Sequence, residues 1–273
     1  PTMPDPFATD EEPLFSFAVL TDPHLNELDG HDKFTRVLET LSREADKLDF
    51  ILILGDLCPA AGFAGVKQML SGCTVPYHVV PGNHEAAALD AFEEAFGPRY
   101  YKFEHADCFF LGLFNAVPSV HNPHAHHGEI DAQQAQWASD MLQEAARRTP
   151  PYRKIFLFTH VPPLQPGSPM APAFRMTVDA TDRVYSLCQE FAVDAAFYGH
   201  VHVNEAFEHQ GTWHICTPST NWNFNISLGY EPKDWLPTNY GGYRVVHVFA
   251  NEISDELRWT HRGTEPIEIE TAE

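Results

Sequence analysis

Five short apolar runs, each closed by an aspartate, asparagine or histidine, govern what this chain can become. Leu14 to Leu20 is followed by Thr21-Asp22-Pro23-His24, Phe50 to Leu54 by Gly55-Asp56, and Tyr77 to Val80 by Pro81-Gly82-Asn83-His84. Lys154 to Phe158 ends in Thr159-His160, and Ala195 to Tyr198 in Gly199-His200-Val201-His202. Runs of this length read as buried strands, and the stretches between several of them carry apolar residues at helical spacing. Phe34, Val37, Leu38, Leu41, Ala45 and Leu48 form one stripe, with Arg36, Glu39, Arg43 and Glu44 on the opposite face. A weaker helix is expected around Ala64 to Leu70, another behind the capping-box form of Asp131 to Gln134, and another from about Asp179 to Phe191. Further strands are expected at Tyr101 to Phe103 and Cys108 to Phe114. Such alternation predicts an α/β fold with a parallel or mixed sheet and crossover helices. The strand-rich C-terminal part, with Trp213 to Thr217, Tyr243 to Phe249 and Glu256 to Thr260, is expected to supply a second sheet. One domain over residues 1–273 is expected, with the proline-rich residues 1–12 as a flexible arm.

Charge narrows the partners. Lys plus Arg number 17 against 38 Asp plus Glu, a net charge of −21 that repels nucleic-acid polymers and anionic bilayers. No apolar run approaches the roughly 18 residues of a membrane span. The expected partner is a small molecule, with no nucleic-acid polymer and no membrane, and self-association into a homo-oligomer is left open. Cys58, Cys73, Cys108, Cys188 and Cys216 are odd in number and scattered, so they read as reduced core thiols rather than a disulfide framework or zinc knuckle. No secretory signal is visible at the N-terminus, which predicts a cytoplasmic location, although a signal already removed would leave the same sequence.

In open α/β sheets ligands bind at the carboxyl ends of strands, so the five runs deliver Asp22, His24, Asp56, Asn83, His84, His160, His200 and His202 to one rim. Any one such stop is ordinary turn chemistry. Five in succession, drawn from Asp, Asn and His, point instead to shared chemistry. Oxygen and imidazole donors without thiolate suit borderline divalent ions, and a carboxylate supplies the bridge that holds two cations about 3.5–4 Å apart.

Asp22-x-His24, Gly55-Asp56, Gly82-Asn83-His84-Glu85, His160 and Gly199-His200-x-His202 resemble, in order, the signature blocks of the calcineurin-like metallophosphoesterases. Phe96 to Tyr101, the Gly128-x-Ile-Asp131-x-x-Gln134 segment and Thr217 to Thr220 are similar to the cyclic-nucleotide phosphodiesterase and glycerophosphodiesterase branch. The resemblance implies a four-layer α-β-β-α sandwich of two mixed sheets flanked by helices, with a dinuclear metal site at the strand ends. It implies one metal on Asp22, His24, Asp56 and His202, and a second on Asp56, Asn83, His160 and His200. Asp56 is then the bridge, and the cofactors are two divalent ions, with Mn, Fe or Zn foremost. A metal-bridging hydroxide would attack phosphorus in line. His84 would be no ligand but a donor to the phosphate or the leaving oxygen, and Asn83 would also face substrate.

Departures from other branches favour small phosphodiesters. Gly55-Asp56 is followed by Leu57-Cys58-Pro59-Ala60, without the Asp-Arg of the protein serine/threonine phosphatases, and Pro59 stands where purple acid phosphatases need tyrosine. A phosphomonoesterase or phosphotriesterase on the same metals is the alternative, and a catalytically silent metal-binding scaffold is a third reading. The segment His121-Asn-Pro-His124-Ala-His126-His127 admits two readings. It is a solvated loop that collects stray metal, or a loop over the rim whose imidazoles meet substrate.

Overall fold

The computed structural model describes residues 12–116, 127–165, 168, 172–225 and 236–260. The expected N-terminal arm lies, through residue 11, outside the described residues, and so do His121, His124 and His126 of the histidine loop. In chain order the first half contains β1 (Phe15–Leu20), α1 (Gly30–Arg43), β2 (Phe50–Ile53), α2 (Phe63–Ser71), β3 (Tyr77–Val79), α3 (Leu89–Phe96), β4 (Tyr101–His105), β5 (Cys108–Gly112) and α4 (Ala132–Ala146). The second half adds β6 (Lys154–Phe158), α5 (Val178–Glu190), β7 (Ala195–Tyr198), β8 (Glu205–His209), β9 (Thr212–Cys216), β10 (Asn223–Asn225), β11 (Leu236–Thr238), β12 (Gly241–Val248) and β13 (Ile253–Thr260).

Two mixed sheets result. One has the order β13-β12-β1-β2-β3, the other β4-β5-β6-β7-β9-β8, and β10-β11 form a separate ribbon. The parallel pairs β1-β2-β3 and β5-β6-β7-β9 carry the predicted rim residues at their carboxyl ends. Alternation along the strands separates three apolar layers, because successive side chains point to opposite faces. Phe15, Phe17 and Val19 of β1 meet Phe110, Phe156 and Phe197 between the sheets. Ala18 and Leu20 turn the other way, onto Phe34, Val37 and Leu41 of α1 and Val66 and Leu70 of α2. On the far face of the second sheet, Leu111, Leu157 and Ala196 pack against Ala138 and Leu142 of α4 and Val184 of α5. The layers therefore run helix, sheet, sheet, helix.

Two expectations are corrected. The C-terminal strands do not build the second sheet: β12 pairs antiparallel with β1 and extends the first, whereas β9 joins β7 in the second. The helix predicted through Leu48 closes at Arg43, and a short 3-10 turn, Ala45–Lys47, carries the chain to β2. At α4 the Asp131 carboxylate accepts from Gln134 N as a cap should (2.7 Å). The Gln134 side chain instead turns inward, exchanging two hydrogen bonds with the Phe114 backbone and fixing the chain just beyond β5.

Candidate metal centre

The loops after β1, β2, β3, β6 and β7 converge. Among the described non-glycine residues, ten have positive φ, and five of those are Asp22, His24, Asp56, His200 and His202. Left-handed backbone costs a branched or long side chain energy, so its concentration here marks a place where side-chain direction overrides local preference. The adjoining glycines are required by close approach: a methyl at Gly82 would overlap the Asp56 carboxylate, and one at Gly55 would overlap the Gly82 backbone.

Two foci of donor atoms share one carboxylate. In the first, Asp22 Oδ1 lies 3.2 Å from His202 Nε2 and 3.7 Å from His24 Nε2. The two imidazole nitrogens are 3.1 Å apart. In the second, His160 Nε2 lies 3.0 Å from Asn83 Oδ1, 3.2 Å from His200 Nδ1 and 3.3 Å from Asp56 Oδ2. The same Asp56 Oδ2 is 3.9 Å from His24 Nε2, so it stands between the foci. Outward nitrogens are tied down: His160 Nδ1 donates to Leu54 O (2.5 Å) and His202 Nδ1 to Trp222 O (2.8 Å). With the ring neutral, each bond leaves a lone pair of Nε2 aimed inward, the tautomer a metal-binding histidine needs.

These residues fit a pair of cations. Asp22 Oδ1 is buried without a hydrogen-bond partner, although Asp22 Oδ2 accepts from Thr21 Oγ1 and His200 N. Facing ring nitrogens and carboxylate oxygens, all inside buried walls, have too few protons to satisfy one another, and divalent ions would satisfy them together. Neither focus includes a cysteine. Burial alone would raise Asp22, but the facing His202 and His160 rings outweigh it and hold that carboxyl well below the usual range. Asp56 is likewise lowered, with His160 outweighing burial. Burial opposes charge on His160 as well, yet Asp56 and Asp22 lift it to about 9, whereas burial and His160 lower His200 to about 3.

His84 takes a different position. Its N–H donates to Asp56 Oδ1 (2.9 Å), its ring stands edge-on to His24 with centroids 4.7 Å apart, and its side chain remains one-third exposed, at 33%. It lines, with Asn83, a 170 Å³ cavity over the foci. His127 is not among the residues lining that cavity; its Nδ1 faces Arg175 O at 3.4 Å. A larger groove of 870 Å³, between α1 and α2, contains none of the rim residues.

Sequence reasoning left several contributors without a role. Glu85, fully buried, accepts from the backbone N–H groups of Asp56, Leu57, Cys58 and Gly82, stapling the loops after β2 and β3 together. Burial and the Asp56 charge push its carboxyl up to about 7, against the pull of those amides. A lone acid directly behind Asn83-His84 in an apolar neighbourhood was the available signal. Glu27, Phe174, Trp222 and Phe224 also line the cavity, and only long-range folding brings them there.

Residues 15–204 match the calcineurin-like phosphoesterase family. The chain belongs to that family. That family uses a dinuclear divalent metal site. This phosphoesterase is similar in fold to the purple acid phosphatase from yellow lupin (Lupinus luteus) seeds, at 15% identity and a TM-score of 0.64, over 90% of this chain and 51% of the lupin chain. It is similar also to GAP50, the anchor in the inner membrane complex of Plasmodium (14%, TM-score 0.65, 92% of this chain and 86% of that one). A putative 5'-nucleotidase from Staphylococcus aureus shares the fold too (14%, TM-score 0.55, 92% and 55%). The chain spans about half the length of the lupin phosphatase and the nucleotidase. No curated protein matches it in sequence.

Proposed function

We propose that this phosphoesterase hydrolyses small phosphodiesters, using two divalent cations, with Mn, Fe or Zn foremost, held by Asp22, His24, Asp56 and His202 on one side and Asp56, Asn83, His160 and His200 on the other. The observation that carries the reading is Asp56 Oδ2 placed between two sets of inward-facing nitrogen and oxygen donors. When bound, the cations supply Lewis acidity, neutralising phosphoryl oxygens and acidifying water.

The chain's own residues do the rest. Asn83 and His84 sit on the cavity wall, where their polar atoms position the phosphoryl group. His84 gives its proton to the leaving oxygen as the P–O bond breaks, and its backbone bond to Asp56 keeps it beside the reacting centre. No Lys or Arg lines the cavity among the described residues. A monoester carries nearly two negative charges near neutral pH and a diester one, so a wall without cationic side chains, on a chain of net charge −21, favours the diester. The test compares bis(p-nitrophenyl) phosphate with p-nitrophenyl phosphate under saturating manganese. Higher kcat/KM on the diester supports the reading, and faster monoester hydrolysis would install the phosphomonoesterase in its place.

A further inference from the structure

The segment Thr217 to Asn223 is built almost entirely of buried polar residues, an expensive way to make a turn unless something must be held still. Ser219 Oγ donates to Asp22 O (2.7 Å) and accepts from the N–H groups of Asn221 (3.0 Å) and Trp222 (3.2 Å). Asn221 Nδ2 donates to Glu27 O (3.0 Å), and Asn221 O accepts from the buried Lys33 Nζ (2.6 Å). Asn223 exchanges bonds with Ser219 and reaches Tyr240 O. Trp222 itself is only half-buried. Its backbone is clamped from both sides, since its carbonyl also accepts from His202 Nδ1. The network thus fixes one large ring at the cavity.

That ring stands against the first focus. Its centroid is 4.0 Å from the His202 ring and 6.2 Å from the His24 ring, and Phe224 meets it edge-on at 5.1 Å. Phe174 lines the same cavity from beside His200, at 6.4 Å between ring centroids. Glu27 is the acidic exception on this wall, and its carboxylate lies 3.5 Å from His24 Nδ1. This wall borders the cavity over the two foci, within reach of an ester arm of a phosphodiester centred there. Hydroxyls of a polyol arm would lose water against the rings and find few partners, whereas a flat apolar arm stacks on a surface already fixed in place.

Resting on the phosphodiester reading, we propose that Trp222 is a specificity-determining residue that selects diesters bearing an aromatic arm, aryl or nucleobase, over those with polyol or alkyl arms. The test is calorimetric binding of diphenyl phosphate and diethyl phosphate to the manganese-loaded protein, in the wild type, Trp222→Leu and Trp222→Phe. The wild type should bind the diphenyl ester more tightly by roughly 5- to 150-fold, the span of base–aromatic stacking losses. Trp222→Leu should bring that ratio towards one, and Trp222→Phe should keep part of it. Should Trp222→Leu fail to fold, the indole N–H resonance of Trp222 in the wild-type protein loaded with diamagnetic zinc decides, shifting with the diphenyl ester and not with the diethyl ester if the ring is the platform. A wild-type ratio near one, a ratio untouched in Trp222→Leu, or an unmoved indole resonance overturns the proposal. Turnover of bis(p-nitrophenyl) phosphate alongside such a result removes the stacking role alone. A protein that binds neither ester yet hydrolyses p-nitrophenyl phosphate removes the diester reading with it.

Discussion

His84 and His160 are chemically the same side chain put to opposite uses by their surroundings. His84 keeps a third of its surface open to the cavity and touches Asp56 mainly through its backbone. His84→Ala should therefore retain both metals and lose roughly 10²- to 10⁴-fold in rate, the range for general acid catalysis. The loss should shrink for nitrophenolate, which leaves without a proton; an equal loss across leaving groups, read in steady-state kinetics, would show a positioning role only. His160 is buried between carboxylates that lift it from 6.5 to about 9. In metal-free protein its charged form adds stability that is full below about pH 6.5 and is lost as pH rises through about 9. Cations compete with that proton, so metal affinity should climb over the same window and uptake should release protons. Calorimetry in buffers of different ionisation enthalpy measures this, and a flat affinity would contradict it. The residues themselves were legible because turn chemistry rarely chooses histidine, yet four of the five strand ends carry one. Trp222 and Glu27 were not, since nothing local distinguishes them from packing residues.

Loops after strands, rather than the strands, carry the precision of the site. Glu85 accepts four backbone N–H groups from two loops, and Glu85→Ala would orphan them at a cost of about 1–3 kcal/mol for each donor left unmade. Thermal melts should show a drop of several degrees even where added water recovers some of those bonds, and Glu85→Gln should recover only part of it, because an amide offers one acceptor oxygen. An unchanged melting temperature in Glu85→Ala would show that the staple is dispensable. The strands and helices were readable wherever apolar period and length agreed, as in β1, α1, β2 and α5. The helix Leu89–Phe96 escaped because it is only two turns long and follows a turn rich in alanine. Strand β8 escaped because it lies at a sheet edge with Glu205 and Glu208 among its residues, so it lacks an apolar run. The partnership of β12 with β1 is invisible to any local pattern, being a pairing between residues more than two hundred positions apart, such as Phe17 and Val246.

At the scale of the molecule, two sheets pressed face to face through phenylalanines bring the carboxyl ends of five parallel strands to one edge. That arrangement gathers donors from Asp22 to His202 into two foci, which no single element could do. The acidic chain then relies on cations to attract a phosphate ester, so activity should collapse when they are removed. Asp56→Ala should be the most damaging single change at the centre, because it removes an oxygen common to both foci, and metal analysis should find the variant depleted. Turnover of bis(p-nitrophenyl) phosphate, as manganese is added back by equivalents to chelator-stripped protein, measures whether two cations make the centre competent. No turnover is expected at the start, followed by a rise that levels off at two equivalents per chain. Full turnover by the stripped protein, or a plateau at one equivalent, would contradict a two-cation centre.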